Sequence, residues 1–180
     1  QVARQRHGGI IPGRLADHSA ETPGPGRPPG IEARGRQAWY ARAMRSLFHF
    51  AFHVTDLDAA RRFYGGVLGC AEGRSTDTWV DFDFFGHQIS LHLGQPFATT
   101  RTGKVGDKLV PMPHFGLVLQ LDDWRALAQR LRAAGIDFVM EPQVRFEGQP
   151  GEQWTMFFCD PCGNPIEVKG FRSLDGLYAH

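Results

Sequence analysis

Histidines at positions 49 and 114 and a glutamate at 167 have the types and the spacing in this chain that could do chemistry. His49 opens the apolar stretch HFAFHV, His114 opens HFGLVLQL 65 residues later, and Glu167 lies in PIEVKGF near the end. Two neutral imidazoles and one carboxylate on one side of a divalent cation form a facial triad. That ligand set is typical of non-haem Fe(II), which is favoured here, although Mn, Ni, Co or Zn accept it too. It leaves neighbouring coordination positions open to a small-molecule substrate.

The elements that must position these groups repeat. From Phe48 to Val54 the chain alternates as a strand, with His49, Ala51 and His53 on one face and Phe50 and Phe52 on the other. A helix follows, capped by Thr55 or Asp56, with Ala60, Phe63, Tyr64, Val67 and Leu68 on its apolar stripe and Gly69 at its end. Strands are then expected near Cys70–Arg74, Thr78–Phe84 and Gln88–Leu93. After a polar linker the order recurs: a strand from His114 to Leu121 and a helix capped by Asp122 that ends at Gly135. Strands follow at Asp137–Met140, Trp154–Cys159 and Pro165–Phe171. The turn Asp160-Pro-Cys-Gly-Asn164 joins the last two, so Cys159-Asp-Pro-Cys162 reads as a turn before it reads as a zinc or redox pair. The expected fold is therefore α+β, two paired βαβββ modules forming a cleft between curved sheets. The modules span residues 44–98 and 111–172, with a linker at 99–110 and a C-terminal tail at 173–180.

Composition sets outer limits. The chain has 180 residues, 42% of them apolar, with 20 Lys and Arg against 19 Asp and Glu for a formal charge of +1. That balance argues against nucleic acid or an anionic membrane as partner. Residues 1–43 are rich in Gly, Pro and Arg without apolar periodicity, and are expected to be a disordered extension. Met44 marks the expected start of the functional domain. Three cysteines form no disulfide framework and suit a reducing compartment, so the expected location is cytoplasmic.

The stretches HFAFHVTDLDAARRFYGGVLGC, HFGLVLQLDDWRALAQRLRAAGIDF and MFFCDPCGNPIEVKGF resemble the vicinal oxygen chelate superfamily over residues 46–172. That superfamily includes glyoxalase I, extradiol dioxygenases, fosfomycin resistance proteins and bleomycin-binding proteins. The resemblance implies that His49, His114 and Glu167 bind the metal. A fourth corner falls on the last strand of the first module, where Gln88, Ser90 and His92 share a face. Matching Gly86 to Gly163 puts Ser90 opposite Glu167, whereas a hairpin longer by two residues puts His92 there as a further ligand. Glyoxalase I enzymes carry a glutamate at that corner, and this chain does not.

Three activities follow from the resemblance: an extradiol-dioxygenase-like enzyme acting on a substrate with vicinal oxygens, a glyoxalase-like isomerase or lyase, and a drug-binding protein of the bleomycin-resistance type. Glu167 and His53 are the expected catalytic residues: in the first activity His53 or His92 moves protons, and in the second Glu167 or another group exchanges one. His53 shares the face of His49 but stands roughly 6.6 Å farther along the strand, too far for the same metal and suited to proton transfer. The partner is a small molecule, and a two-fold homodimer is the default assembly. The loop from Glu141 to Gln153, with Arg145, Phe146 and Glu147, reads either as a lid in which Arg145 orients an anionic substrate or as a solvated hairpin.

Overall fold

The computed structural model describes residues 46–106 and 108–177. The expected disordered tail at 1–43 lies outside them. Strand β1 (His49–Val54) leads into α1 (Leu57–Ala60), which continues as a π-helix over Arg61–Val67, followed by β2 (Ala71–Ser75), β3 (Trp79–Phe84) and β4 (His87–Leu93). A hairpin, β5 (Thr100–Val105) and β6 (Lys108–Met112), precedes the second unit: β7 (Phe115–Gln120), α2 (Leu121–Ala133), β8 (Phe138–Arg145), β9 (Gln153–Cys159) and β10 (Pro165–Phe171). The two four-stranded sheets have orders β1-β4-β3-β2 and β7-β10-β9-β8, the same topology twice.

Strand parity divides each sheet into a back and a front. In β1, Phe52 and Val54 are buried at the back while His49, Ala51 and His53 stand exposed in front. One apolar core fills the space between the two backs, taking Phe52, Tyr64 and Phe82 from the first module and Trp124, Phe158 and Ile166 from the second. The front of the second sheet has its own small cluster, where Val110 of β6 packs on Met140 and Phe157. The segment expected as a linker is thus a hairpin lying on that front. Its Thr- and Lys-rich strands look polar because Val110, with Pro111 beside it, is buried while most of its neighbours stay exposed.

Two further elements differ from the sequence reading, and a third takes one of its alternatives, the hairpin at Glu141–Gln153. Asp56 caps α1 as expected, accepting from the N–H groups of Asp58 and Ala59. Past Ala60, however, the helix widens: the Leu68 N–H reaches back five residues to the Phe63 carbonyl. Gly65 and Gly66 impose no side-chain restraint there, and the wider winding buries the consecutive aromatics Phe63 and Tyr64 together. Asp122 is not a cap, because α2 begins at Leu121 and Asp122 sits in its first turn, where a carboxylate suits the helix dipole. The Glu141–Gln153 segment is largely strand, with β8 and β9 joined by a turn and the Arg145 guanidinium folded 4.8 Å over the Phe146 ring. A short 3-10 turn at Leu174–Gly176 ends the chain that is described.

The modules are tied back to back by polar bonds as well as by the core. The turn residue Asp160 accepts from the Cys162 and Asn164 N–H groups at one oxygen, and from Tyr64 Oη (3.1 Å) and Asn164 Nδ2 (2.9 Å) at the other. Asn164 Nδ2 also donates to the His53 carbonyl, and Arg130 donates to the Leu68 carbonyl. Burial, reinforced by the Asp160 charge, pushes the Tyr64 phenol well above its ordinary pKa, so it acts as a donor. Tyr64→Phe removes one of four bonds to a buried carboxylate and is expected to cost about 2 kcal/mol. The check is a lowered urea midpoint with an unchanged slope.

Candidate functional site

The ladders fix which positions correspond between the modules. Phe50 faces Ile89 across β1 and β4, and Phe115 faces Ile166 across β7 and β10. His49 therefore corresponds to His114. One position on, Ala51 lies beside Ser90 and Gly116 lies beside Glu167, so Ser90 occupies the place equivalent to Glu167. His92 pairs instead with His53, and its counterpart in the second module is Lys169. The alternative of a hairpin two residues longer is not realised.

The structure brings His114 and Glu167 together on the front of the second sheet. His114 Nε2 is 3.2 Å from Glu167 Oε2, and His114 Nδ1 is 2.8 Å from the Pro111 carbonyl of β6. A carbonyl only accepts, so Nδ1 carries a hydrogen and donates it. In the neutral ring Nε2 then keeps its lone pair free for a ligand. The two atoms are close enough for one divalent cation to bind both, with Lys169 Nζ 3.6 Å from the same oxygen. The pair thus fits a metal by the chemistry of its donors.

The surroundings hold that pair in place. Glu167 is buried, and Thr155 Oγ1 donates to its Oε1 at 3.0 Å, while Lys169 Nζ lies 3.6 Å from Oε2. The Phe157 ring stands edge-on to His114 with centroids 5.0 Å apart. Gly116 runs so close to β10 that a Cβ there would collide with the Glu167 carbonyl oxygen, which makes a side chain at that position incompatible with the ladder. Sequence reasoning missed Thr155, Lys169 and the Pro111 carbonyl. The first two could have been found from strand parity, since each lies on the face of Glu167.

His49 is elsewhere. It is exposed on the front of the first sheet beside Gln88, and no three His, Cys, Asp or Glu residues gather in a metal-holding group among the described residues. His53 and His92 stand side by side across β1 and β4, and both line a cavity of about 810 Å³ that His114 also reaches. Aromatic walls, among them Phe50, Phe84 and Phe97, make that cavity apolar. At the position equivalent to Glu167, Ser90 Oγ donates to Asp81 Oδ1 at 2.5 Å. Burial works against ionisation of Asp81, but bonds from Ser90, Arg74 and Gln88 outweigh it and hold the carboxyl below its ordinary pKa. Cys159 and Cys162 are free thiols, the latter in the Asp160 turn.

A family model described as the Glyoxalase/Bleomycin resistance protein/Dioxygenase superfamily matches residues 46–168. Among solved structures, a glyoxalase/bleomycin resistance protein/dioxygenase from Alicyclobacillus acidocaldarius is 30% identical, covers 74% of this chain and 97% of its own, and superposes with a TM-score of 0.60. The fosfomycin resistance protein FosX from Listeria monocytogenes is 17% identical over 74% of this chain and 98% of its own, with a TM-score of 0.54. A glyoxalase/dioxygenase from Nostoc punctiforme is 19% identical over 71% of this chain and 92% of its own, with a TM-score of 0.53. The last two likenesses speak to the fold alone. No curated protein matches the chain. No helix among the described residues is long and apolar enough to cross a membrane.

The hydrogen on His114 Nδ1 is open to direct measurement. Long-range proton–nitrogen correlation spectra at neutral pH are expected to show Nδ1 protonated. A His114 ring protonated at Nε2 alone contradicts the arrangement.

Proposed function

The chain belongs to the glyoxalase/bleomycin resistance protein/dioxygenase superfamily, and on that premise we propose that it is a metal-dependent enzyme whose small substrate chelates the ion through two vicinal oxygens, in the manner of an extradiol dioxygenase. The observation that carries this reading is the His114–Glu167 pair, an imidazole nitrogen and a carboxylate oxygen 3.2 Å apart, within the span of one bound cation. His114 and Glu167 of one chain, with His49 of a second copy, would hold the ion, Fe(II) being favoured and Mn, Ni, Co or Zn also suited. When bound, such an ion supplies Lewis acidity that lowers the pKa of a chelating hydroxyl.

A second copy is invoked because His49 does not gather with His114 and Glu167 within one chain, whose two modules share a core at the backs of their sheets. β1 and β7 each lie at the edge of a sheet, and Leu47 and Phe48 next to His49 are exposed. A two-fold dimer that sets the first front of one copy against the second front of the other brings His49 to His114 and Glu167, and does so twice.

The remaining residues orient, shield and carry protons. The Pro111 carbonyl aims the His114 ring, and Thr155 fixes the Glu167 carboxylate so that Oε2 faces inward. Phe157, roofed by Val110, excludes water from one side. His53, beside His92 in the aromatic cavity, is placed to take or give a proton to a ring-shaped substrate. A glyoxalase-like course is less favoured, since Ser90 stands where those enzymes use a carboxylate.

The test is anaerobic purification, Fe(II) addition, and a panel of catechols followed by oxygen uptake and ring-cleavage absorbance. Absence of both with every catechol refutes the dioxygenase reading. Mixing tests the shared site: His49→Ala and His114→Ala should each be inactive alone, while co-refolded mixtures should regain about a quarter of the wild-type sites, because half the dimers are mixed and each has one intact site. No recovery on mixing refutes the assignment across two copies.

A further inference from the structure

The front of the first module carries a second depression, of about 410 Å³, lined by His49, Gln88, Arg74, Asp81, Asp83 and Gly73 among others. Its floor is the Asp81 carboxylate, only 5% exposed, and three donors converge on it: Ser90 Oγ on Oδ1, and Gln88 Nε2 (3.1 Å) and Arg74 Nη2 (3.2 Å) on Oδ2. A carboxylate only accepts, so this contact fixes the sense of both neighbours. The Gln88 amide must turn its nitrogen inward, which leaves Oε1 for the depression. The Ser90 hydroxyl has one hydrogen and spends it on Asp81, so its oxygen retains only lone pairs.

The lining therefore presents acceptors. Asp83 adds a second carboxylate on the same strand face, against the single guanidinium of Arg74. Arg74 is already bound to Asp81 and lies over the Trp79 ring at 5.9 Å. Gly73 keeps the space open over Asp81, since a Cβ there would lie 3.4 Å from the Asp81 Cβ.

We propose that this depression is a specificity subsite for a hydrogen-bond-donating group of the substrate, a hydroxyl or an ammonium, received by Gln88 Oε1. Asp81, whose oxygens are taken up by Ser90, Gln88 and Arg74, is its positioning residue: it sets which way the Gln88 amide turns. The inference deepens the proposed function by naming the polarity of substrate the cleft accepts, and rests on it only for calling the bound molecule a substrate. The subsite is built by one chain without His114, Glu167 or a metal.

The experiment uses the full chain in excess chelator, so that failure of the metal reading and failure of this one are separable. Catechol and 1,2-dimethoxybenzene share a ring, but the second has methyl groups in place of both hydroxyl hydrogens. Each is titrated while the Gln88 side-chain amide and the backbone amides of Gly73, Asp83 and Gly86 are followed by NMR, the backbone set giving the ratio in Gln88→Leu. Wild type should bind catechol about five- to tenfold more tightly than the ether, the span expected of a hydrogen bond to such a site. Gln88→Leu, at a half-exposed position that tolerates it, should bring that ratio to about one.

Asp81→Asn supplies a readout that a merely structural role would not move. The asparagine carries no charge and replaces one acceptor oxygen by an NH2 group that only donates, so the Gln88 amide is no longer held with Nε2 inward and Oε1 toward the depression. The catechol-to-ether ratio should then fall below that of wild type while circular dichroism stays unchanged. The proposal is overturned if wild type shows no preference for catechol, if neither probe moves the Gln88 resonance up to its solubility limit, or if Gln88→Leu keeps the wild-type ratio. It is equally overturned if a folded Asp81→Asn protein keeps that ratio.

Discussion

A single carboxylate at the junction of the modules sets the arrangement on which the rest depends. Asp160 gathers two backbone N–H groups of its own turn, the phenol of Tyr64 and the amide of Asn164, whose nitrogen also holds the His53 carbonyl. A buried carboxylate is tolerated only when its oxygens are so occupied. Its bonds cross from the last hairpin of the second module to the helix of the first, and with Asn164 they reach strand β1. The aromatic contacts of Phe115 with Phe50 and Phe52, at 5.2 and 4.9 Å, lie in the same core. The backs are thereby committed to each other and the fronts are left for chemistry.

Each front is a polar arrangement on an apolar support, and the two use the same positions differently. In the second module Glu167 points at an imidazole and is steadied by Thr155. In the first, Ser90 takes the equivalent place, and the negative charge has moved one strand over, to Asp81. Position is preserved while chemistry is redistributed. On the proposed reading, the repeated unit supplies cation ligands from one module and substrate contacts from the other.

Much of this fold was legible in the sequence because parity and periodicity are local. The alternation in HFAFHV assigned its faces correctly, Gly69 and Gly135 end their helices with φ of 77° and 68°, and the Asp160–Asn164 turn lies where its residue types put it. The match of Gly86 to Gly163 likewise gave the register that puts Ser90 opposite Glu167. What escaped depended on contacts remote in sequence. The hairpin at 100–112 owes its stability to Val110 meeting Met140 and Phe157, and nothing in its own composition announces that. The separation of His49 from His114 escaped for a related reason. A repeat of 65 residues establishes equivalence of position, and equivalence under a pseudo-two-fold axis is not proximity. Asp81 was hidden because an acidic residue on an exposed-looking strand gives no local sign that three donors will enclose it.

The β5–β6 hairpin ends on a point of asymmetry. It is the seam between two like halves, yet the Pro111 carbonyl that orders the His114 ring belongs to it. The first histidine has no such segment ahead of it among the described residues, so only the second is held in a fixed tautomer by its own approach. A connector of this kind is no longer free to drift in length: shortening or lengthening it by one residue would turn the carbonyl away and release the ring. The seam thereby does more than connect, and the two halves, alike in path, have ceased to be interchangeable.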